Sequence, residues 1–207
     1  MRYWLFALLL IAVYVFAASG DWVAPTANYD EGDFTETDSI YASDNRRTHN
    51  VGELQHRVGG KGFGIAVTDS STIDSILVKI EGNGNSSTAN RRDITVQLSK
   101  DGGATGVGDA VTVRLKQTTD TIITVRGSTN GLWNTTWTEA EIESANLTVN
   151  AKKVTAVTSA DICIDQITVQ VWYTVPAVPG SLSPYRNGPL GADVQAGPQG
   201  ASRRAGP

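Results

Sequence analysis

The sequence predicts an all-β fold, an antiparallel β-sandwich of jelly-roll-like form, built as a single domain with at most one short helix. Three observations predict it. Short runs of alternating apolar and polar residues recur through the middle of the chain, separated by Gly, Asn, Asp and Ser. The 21 glycines, together with abundant Thr, Val, Ser and Asn, favour strands and turns over helices. There is one cysteine, Cys163, so no intramolecular disulfide can form and the core must hold the fold. Apolar residues make up 40% and charged residues 18%, a globular balance.

Residues 1–19 come first. Arg2 precedes an unbroken apolar run from Trp4 to Phe16, and the small residues Ala17, Ala18 and Ser19 follow at once. A positive start, a short apolar stretch and a small-residue end are the three parts of a secretory signal peptide. Cleavage after Ala17 or after Ser19 fits. The run is shorter than the ~20 residues a spanning helix needs. The expected location is therefore secreted or cell-surface, with no membrane span after signal cleavage; the alternative is that the segment is retained as an anchor.

The predicted domain covers residues 20–175. Ile73 to Ile80 alternates, with Ile76, Val78 and Ile80 on one face. Glu81 to Ser87 reads as a loop. Ile94 to Ser99 alternates cleanly and ends at the turn Lys100-Asp101-Gly102-Gly103. Val111 to Leu115, Ile122 to Val125, Leu147 to Val149 and Val154 to Val157 are further strands, and Ile164 to Val175 closes the set. Thr138 to Ala145 is the one predicted helix, with Thr138 as N-cap and acids in the first turn. Cys163 shares strand parity with Ile167, Val169 and Val171, which reads as a small buried apolar residue, the alternative being a reactive or intermolecular thiol. From Pro176 to Pro207 the chain turns rich in Pro, Gly, Ala and Ser without apolar periodicity, and reads as a disordered tail.

Several segments resemble a poorly characterised group of jelly-roll-like β-sandwich modules of secreted bacterial and archaeal surface proteins and phage structural proteins. They are Phe63 to Val67 followed by Ser71 to Ile80, the hairpin Leu98-Ser99-Lys100-Asp101-Gly102-Gly103, the stretch Leu132-Trp133-Asn134-Thr135-Thr136-Trp137-Thr138 with Ala145 to Val149, and Asp165 to Thr174. The resemblance spans roughly Trp22 to Thr174, in the same order as the family's motifs. It implies a β-sandwich with an extracellular or virion role and implies no chemistry. Two positions depart from the pattern: Asn134 stands where the group has Gly, and Leu147 where it has an aromatic.

No catalytic set is legible. His49 and His56 are seven apart with no Cys or carboxylate at a metal-ligand spacing, and read as surface or loop residues. No G-x-S-x-G elbow occurs. Gly59-Gly60-Lys61-Gly62-Phe63-Gly64 lacks the phosphate-loop order and reads as a flexible connector into a strand at Phe63. Acids exceed bases, 21 to 17, and no Lys/Arg stripe exists, which argues against nucleic acid. The acidic stretch Asp30 to Asp38 is loop-like. Asp165 shares parity with inward residues and needs a partner, so one reading is a structural Ca²⁺ held by Asp30, Asp33 and Asp165, and the other is hydrogen bonding to backbone N–H groups.

Four aromatics, Trp22, Tyr41, Trp133 and Trp137, can form a platform for sugar rings, or, for Trp133 and Trp137, can fill the core. The expected function is a non-enzymatic exported structural or adhesion module of a cell surface or extracellular assembly. A carbohydrate-binding module and a phage virion protein of the tail, fibre or capsid are the alternatives. Expected partners are a glycan or a second copy.

Overall fold

The computed structural model describes residues 16–32, 34–50, 56–84, 86–88, 92–154 and 161–176. The segments read as the leader up to residue 15, Asp33, the end of the Val154 to Val157 run and the Pro/Gly-rich tail beyond Pro176 lie outside them. The described strands are β1 (Phe16–Ser19), β2 (Ala27–Asp30), β3 (Phe34–Thr35), β4 (Thr48–Asn50), β5 (Arg57–Lys61), β6 (Thr72–Gly84), β7 (Asp93–Ser99), β8 (Gly106–Arg114), β9 (Thr121–Arg126), β10 (Thr148–Lys153) and β11 (Ile162–Val175). A 3₁₀ turn spans Thr37–Ile40, and the single α-helix among the described residues, α1, is Glu139–Glu143.

Two sheets form. The first runs β3-β4-β11-β6-β9, with β1 pairing the far end of β11; the second runs β2-β5-β10-β7-β8. All the strand pairs are antiparallel. Numbered one to eight, the strands β4 to β11 lie in the orders 1-8-3-6 and 2-7-4-5, which is the jelly roll. The alternation that predicted the strands fills the space between the sheets. Ile76, Val78 and Ile80 from β6 and Ile167, Val169 and Val171 from β11 meet Ile94, Val96 and Leu98 from β7 and Val149 and Ala151 from β10.

The helix forms as its sequence dictates. The Thr138 hydroxyl accepts from the Glu141 backbone N–H at 3.3 Å, and the Glu141 carboxylate accepts from the Thr138 N–H at 2.9 Å. This reciprocal pair is a capping box. Ile142 anchors the turn in the core.

Four differences from the sequence reading have physical causes. β6 runs on through Glu81 to Gly84, where a loop was expected, because β11 pairs with it as far as Ile162. The runs at Leu147 to Val149 and Val154 to Val157 are not two strands as far as described. One strand, β10, bridges them with Asn150 and Lys153 buried in mid-sheet. Phe63, Ile65 and Val67 are buried alternately, yet no ladder forms there. The strand lies one step earlier, in the glycine run itself. Gly59 and Gly60 sit in β5 between β2 and β10, where a Cβ at Gly59 would overlap the Val149 carbonyl and one at Gly60 would press on the Pro25 ring. These glycines serve close approach of neighbouring chains rather than flexibility.

This difference is testable by urea denaturation. Gly59→Ala is expected to cost about 2–3 kcal/mol through overpacking. Gly64 has positive φ but open space around it, so Gly64→Ala is expected to cost only about 1 kcal/mol. A flexible connector would tolerate both equally.

Candidate functional site

Two regions of the first sheet gather chemistry-bearing side chains. The first is a polar cluster at one end. β11 has one more residue than β6 between Ile164 and Gln166, so Asp165 is a bulge. The bulge reverses parity. Beyond it Ile167, Val169 and Val171 point inward; before it Ile162 and Ile164 do, and Cys163 is turned to the outer face. Cys163 is buried as expected, but not among the core apolar residues as its parity had suggested. It lies between its cross-strand partners His49 of β4 and Asn83 of β6, and its Sγ is 3.2 Å from His49 Nδ1. His49 is thus a strand residue with a partner, not a loop histidine.

Beside this pair, Asn83 donates to Asp120 at 2.7 Å, and Arg47 grips both Asp120 oxygens through its Nε and a terminal nitrogen. Burial pushes the Cys163 thiol up to about 11, so at neutral pH it is a thiol, not a thiolate nucleophile. Asp120 is held below the usual carboxylate range, first by its hydrogen bonds from Arg47.

Asp165 is 1% exposed. One oxygen accepts from the Asn45 backbone N–H at 3.3 Å; the other has no hydrogen-bond partner. Desolvation raises its pKa, and the nearby charges of Glu81, Asp120 and Asp44 act the same way. Of the Ca²⁺ set read from the sequence, Asp30 lies on β2 in the other sheet from Asp165 and accepts from the Gly32 N–H at 3.0 Å, and Asp33 is outside the described residues. Among the described residues, no group of three or more His, Cys, Asp or Glu side chains is placed to hold a metal ion. The backbone alternative is the one the geometry matches, through Asn45.

The second region is the outer face of the first sheet. On β6, Ser75, Leu77, Lys79 and Glu81 alternate with buried Ile76, Val78 and Ile80 and so point outward. Cross-strand partners share a face, which defines rows. Ser75 pairs Trp172; Leu77 pairs Gln170 and Arg126; Lys79 pairs Thr168 and Thr124; Glu81 pairs Gln166 and Ile122. Trp172 is 40% exposed and Ile122 61%. Trp22 joins the third row, with the Lys79 ammonium 3.9 Å from its ring centroid, whereas Tyr41, which bridges Gln166 by its backbone, packs its ring partly buried against the core. An open depression of about 450 Å³ lies against Trp172, lined also by Ala17, Asp74, Ser75, Leu77 and Arg126.

The structure therefore divides the four aromatics read as a platform. Trp22 is on the outer face, Tyr41 packs partly buried against the core between the sheets, and Trp133 and Trp137 are with neither. Trp133 is fully buried and its indole N–H donates to the Ile76 carbonyl at 2.9 Å, so it has no ring face for a ligand. Trp137 donates to the Leu132 carbonyl at 3.0 Å, and its ring carries the Lys100 ammonium at 4.6 Å, at the floor of a separate open depression of about 610 Å³. Trp172 was missed; its place as the last outward position of an alternating run was the available signal.

No known family model matches this sequence, and no curated protein and no solved structure matches it either.

Two outcomes test these assignments. Because the folded Asp165 pKa is raised, the protonated carboxyl favours the fold: its contribution is complete below the unfolded carboxylate pKa of about 3.9 and is lost as pH rises through the folded value. Asp165→Asn, which keeps an acceptor for Asn45 and offers an N–H₂ to the surrounding acids, is expected to melt with the wild type near pH 3 and above it at pH 7. Trp133→Ala is expected to cost about 3–5 kcal/mol, whereas Trp172→Ala is expected to leave the melting temperature nearly unchanged.

Proposed function

We propose that the chain is an exported, non-catalytic structural or adhesion module of a cell surface or extracellular assembly, and that it makes contact through the outer face of its first sheet. The observation that carries this reading is the row arrangement on that face. Exposed Trp172 and Ile122 share the outer face of one sheet with Leu77 and Trp22. Scattered exposed apolar residues need no explanation, but several aligned on one flat face do.

The polar cluster supports the same reading from the other side. Its ionic groups face one another: Arg47 is occupied by Asp120, Asp120 also by Asn83, and His49 by Cys163. They brace β4, β11 and β6 and the Asp120 loop against each other. A neutral thiol beside a histidine is not an activated nucleophile.

Expression of the full chain in a secreting host tests this. The expected product begins at Ala18 or Gly20 and is retained on the cell surface or in a particulate fraction, and Trp172→Ala releases it to the medium with its melting temperature unchanged. A chain that stays inside the cell with its leader intact, or retention indifferent to Trp172→Ala, ends the proposal.

A further inference from the structure

We infer that the outer face of the first sheet binds an extended neutral polysaccharide laid along β11, with Trp172 as the principal stacking ring. This rests on the proposed role of that face as the contact surface and adds the chemistry of what it meets.

The rows give the argument. From the Trp172 row to the Trp22 row is four residues along β11, about 13 Å at the rise of an antiparallel strand. Two rings thus follow one strand on the same face. Between and beside them stand hydrogen-bonding side chains: Gln170, Gln166, Thr124 and Ser75. A pyranose presents a C–H face that packs on an aromatic ring and an equatorial rim of hydroxyls that both donate and accept. Rings spaced along a line, with amides and hydroxyls between them, complement a chain of such units.

Charge selects among glycans. The face carries Lys79 and Arg126 against Asp74 and Glu81, which balance, while the protein as a whole is acidic with a formal net charge of −4. Neither a polyanionic nor a polycationic ligand gains from this field, and a polyanion is repelled by the protein's net charge. A protein partner is the poorer fit. Its interface core would want contiguous apolar area, yet Trp172 and Ile122 are separated by the polar rows of Arg126, Gln170, Lys79 and Thr124.

The depression at Trp172 is where the first sugar unit would sit. Its floor is Leu77 and Ser75, and its sides are Arg126 and Asp74. Asp74 is the extra residue of β6 opposite the Trp172–Tyr173 step, and one of its oxygens already accepts from the Thr174 hydroxyl at 2.7 Å, which fixes the carboxylate in place. A guanidinium and a carboxylate flanking a ring can engage neighbouring hydroxyls of one sugar as donor and acceptor.

Affinity electrophoresis of the secreted protein through gels containing hydroxyethyl cellulose, xylan, galactomannan or dextran tests the inference. The expected result is retardation in at least one gel, weakened tenfold or more by Trp172→Ala and also reduced by Arg126→Ala, but unchanged by Trp137→Phe at the other depression. Thermal melting of each variant separates lost binding from lost folding, and Trp172→Phe, which keeps a ring, is expected to retain part of the retardation. No retardation by any of the four polysaccharides, or retardation that survives Trp172→Ala, overturns the inference. Surface retention that depends on Trp172 without retardation in any gel would leave the adhesion reading standing and this one refuted.

Discussion

The pairing of β6 with β11 decides where the other side chains of the first sheet can be. These are the two longest strands, adjacent and antiparallel, and they share a ladder from Thr72–Thr174 at one end to Gly84–Ile162 at the other. One face of the ladder supplies half the core. The opposite face supplies the rows that hold Trp172, Gln170, Thr168 and Gln166 against Ser75, Leu77, Lys79 and Glu81. Because the side-chain period of a strand is two, one slip in this pairing would exchange core and surface along the whole sheet. The register is pinned from inside by Ile76, Val78 and Ile80 packing with Ile167, Val169 and Val171.

The ladder also contains the two irregularities that shape its ends. At Asp165 the extra residue lies on β11; at Asp74 it lies on β6. The first turns Cys163 outward to His49 and tucks a carboxylate into a nearly dry position. The second sets Asp74 beside Trp172. Bulges concentrate strain and aim side chains, and here each bulged residue is an aspartate held by a hydrogen bond, from the Asn45 N–H in one case and the Thr174 hydroxyl in the other.

What the sequence disclosed follows from what alternation can and cannot encode. β7, β9 and the outer half of β6 were legible because a half-buried strand writes its two faces as a period of two. α1 was legible from Thr138 and Glu141, because a capping box is local chemistry. β2, β3 and β4 were not, since short edge strands such as Thr48–Asn50 rely on neighbours rather than their own apolar content. β5 was hidden by glycine: Gly59 and Gly60 lack side chains to show a pattern, and the reason for lacking them, the backbone of Val149 and the ring of Pro25, is far away in the chain. Cys163 was assigned to the wrong face because a parity count cannot see a bulge. The sugar-platform aromatics split for a similar reason. Trp133 and Asn134 both adopt left-handed φ, 59° and 53°, and this turn drives the indole into the core. Asn is, after glycine, among the residues that best tolerate that conformation, which suits position 134 to it.

At its far end β11 pairs with Phe16 to Ser19, the end of the segment that reads as a leader, beside the exposed face. Ser19 pairs Trp172, Ala18 pairs Tyr173, Ala17 pairs Thr174 and Phe16 pairs Val175. Cleavage after Ala17 would leave Ala18 and Ser19 covering the strand opposite Tyr173 and Trp172. Cleavage after Ser19 would strip that edge and remove Ala17 from the rim of the Trp172 depression in either case. An open edge is a template for another strand, but this one is short. Gly20 holds the next position by donating to the Val171 carbonyl at 3.0 Å, and Val23 pairs Val169 beyond it. Pro176, which has no N–H to offer, follows Val175 at the other side. That segment is bounded on both flanks at four residues, which is little ladder to offer another strand.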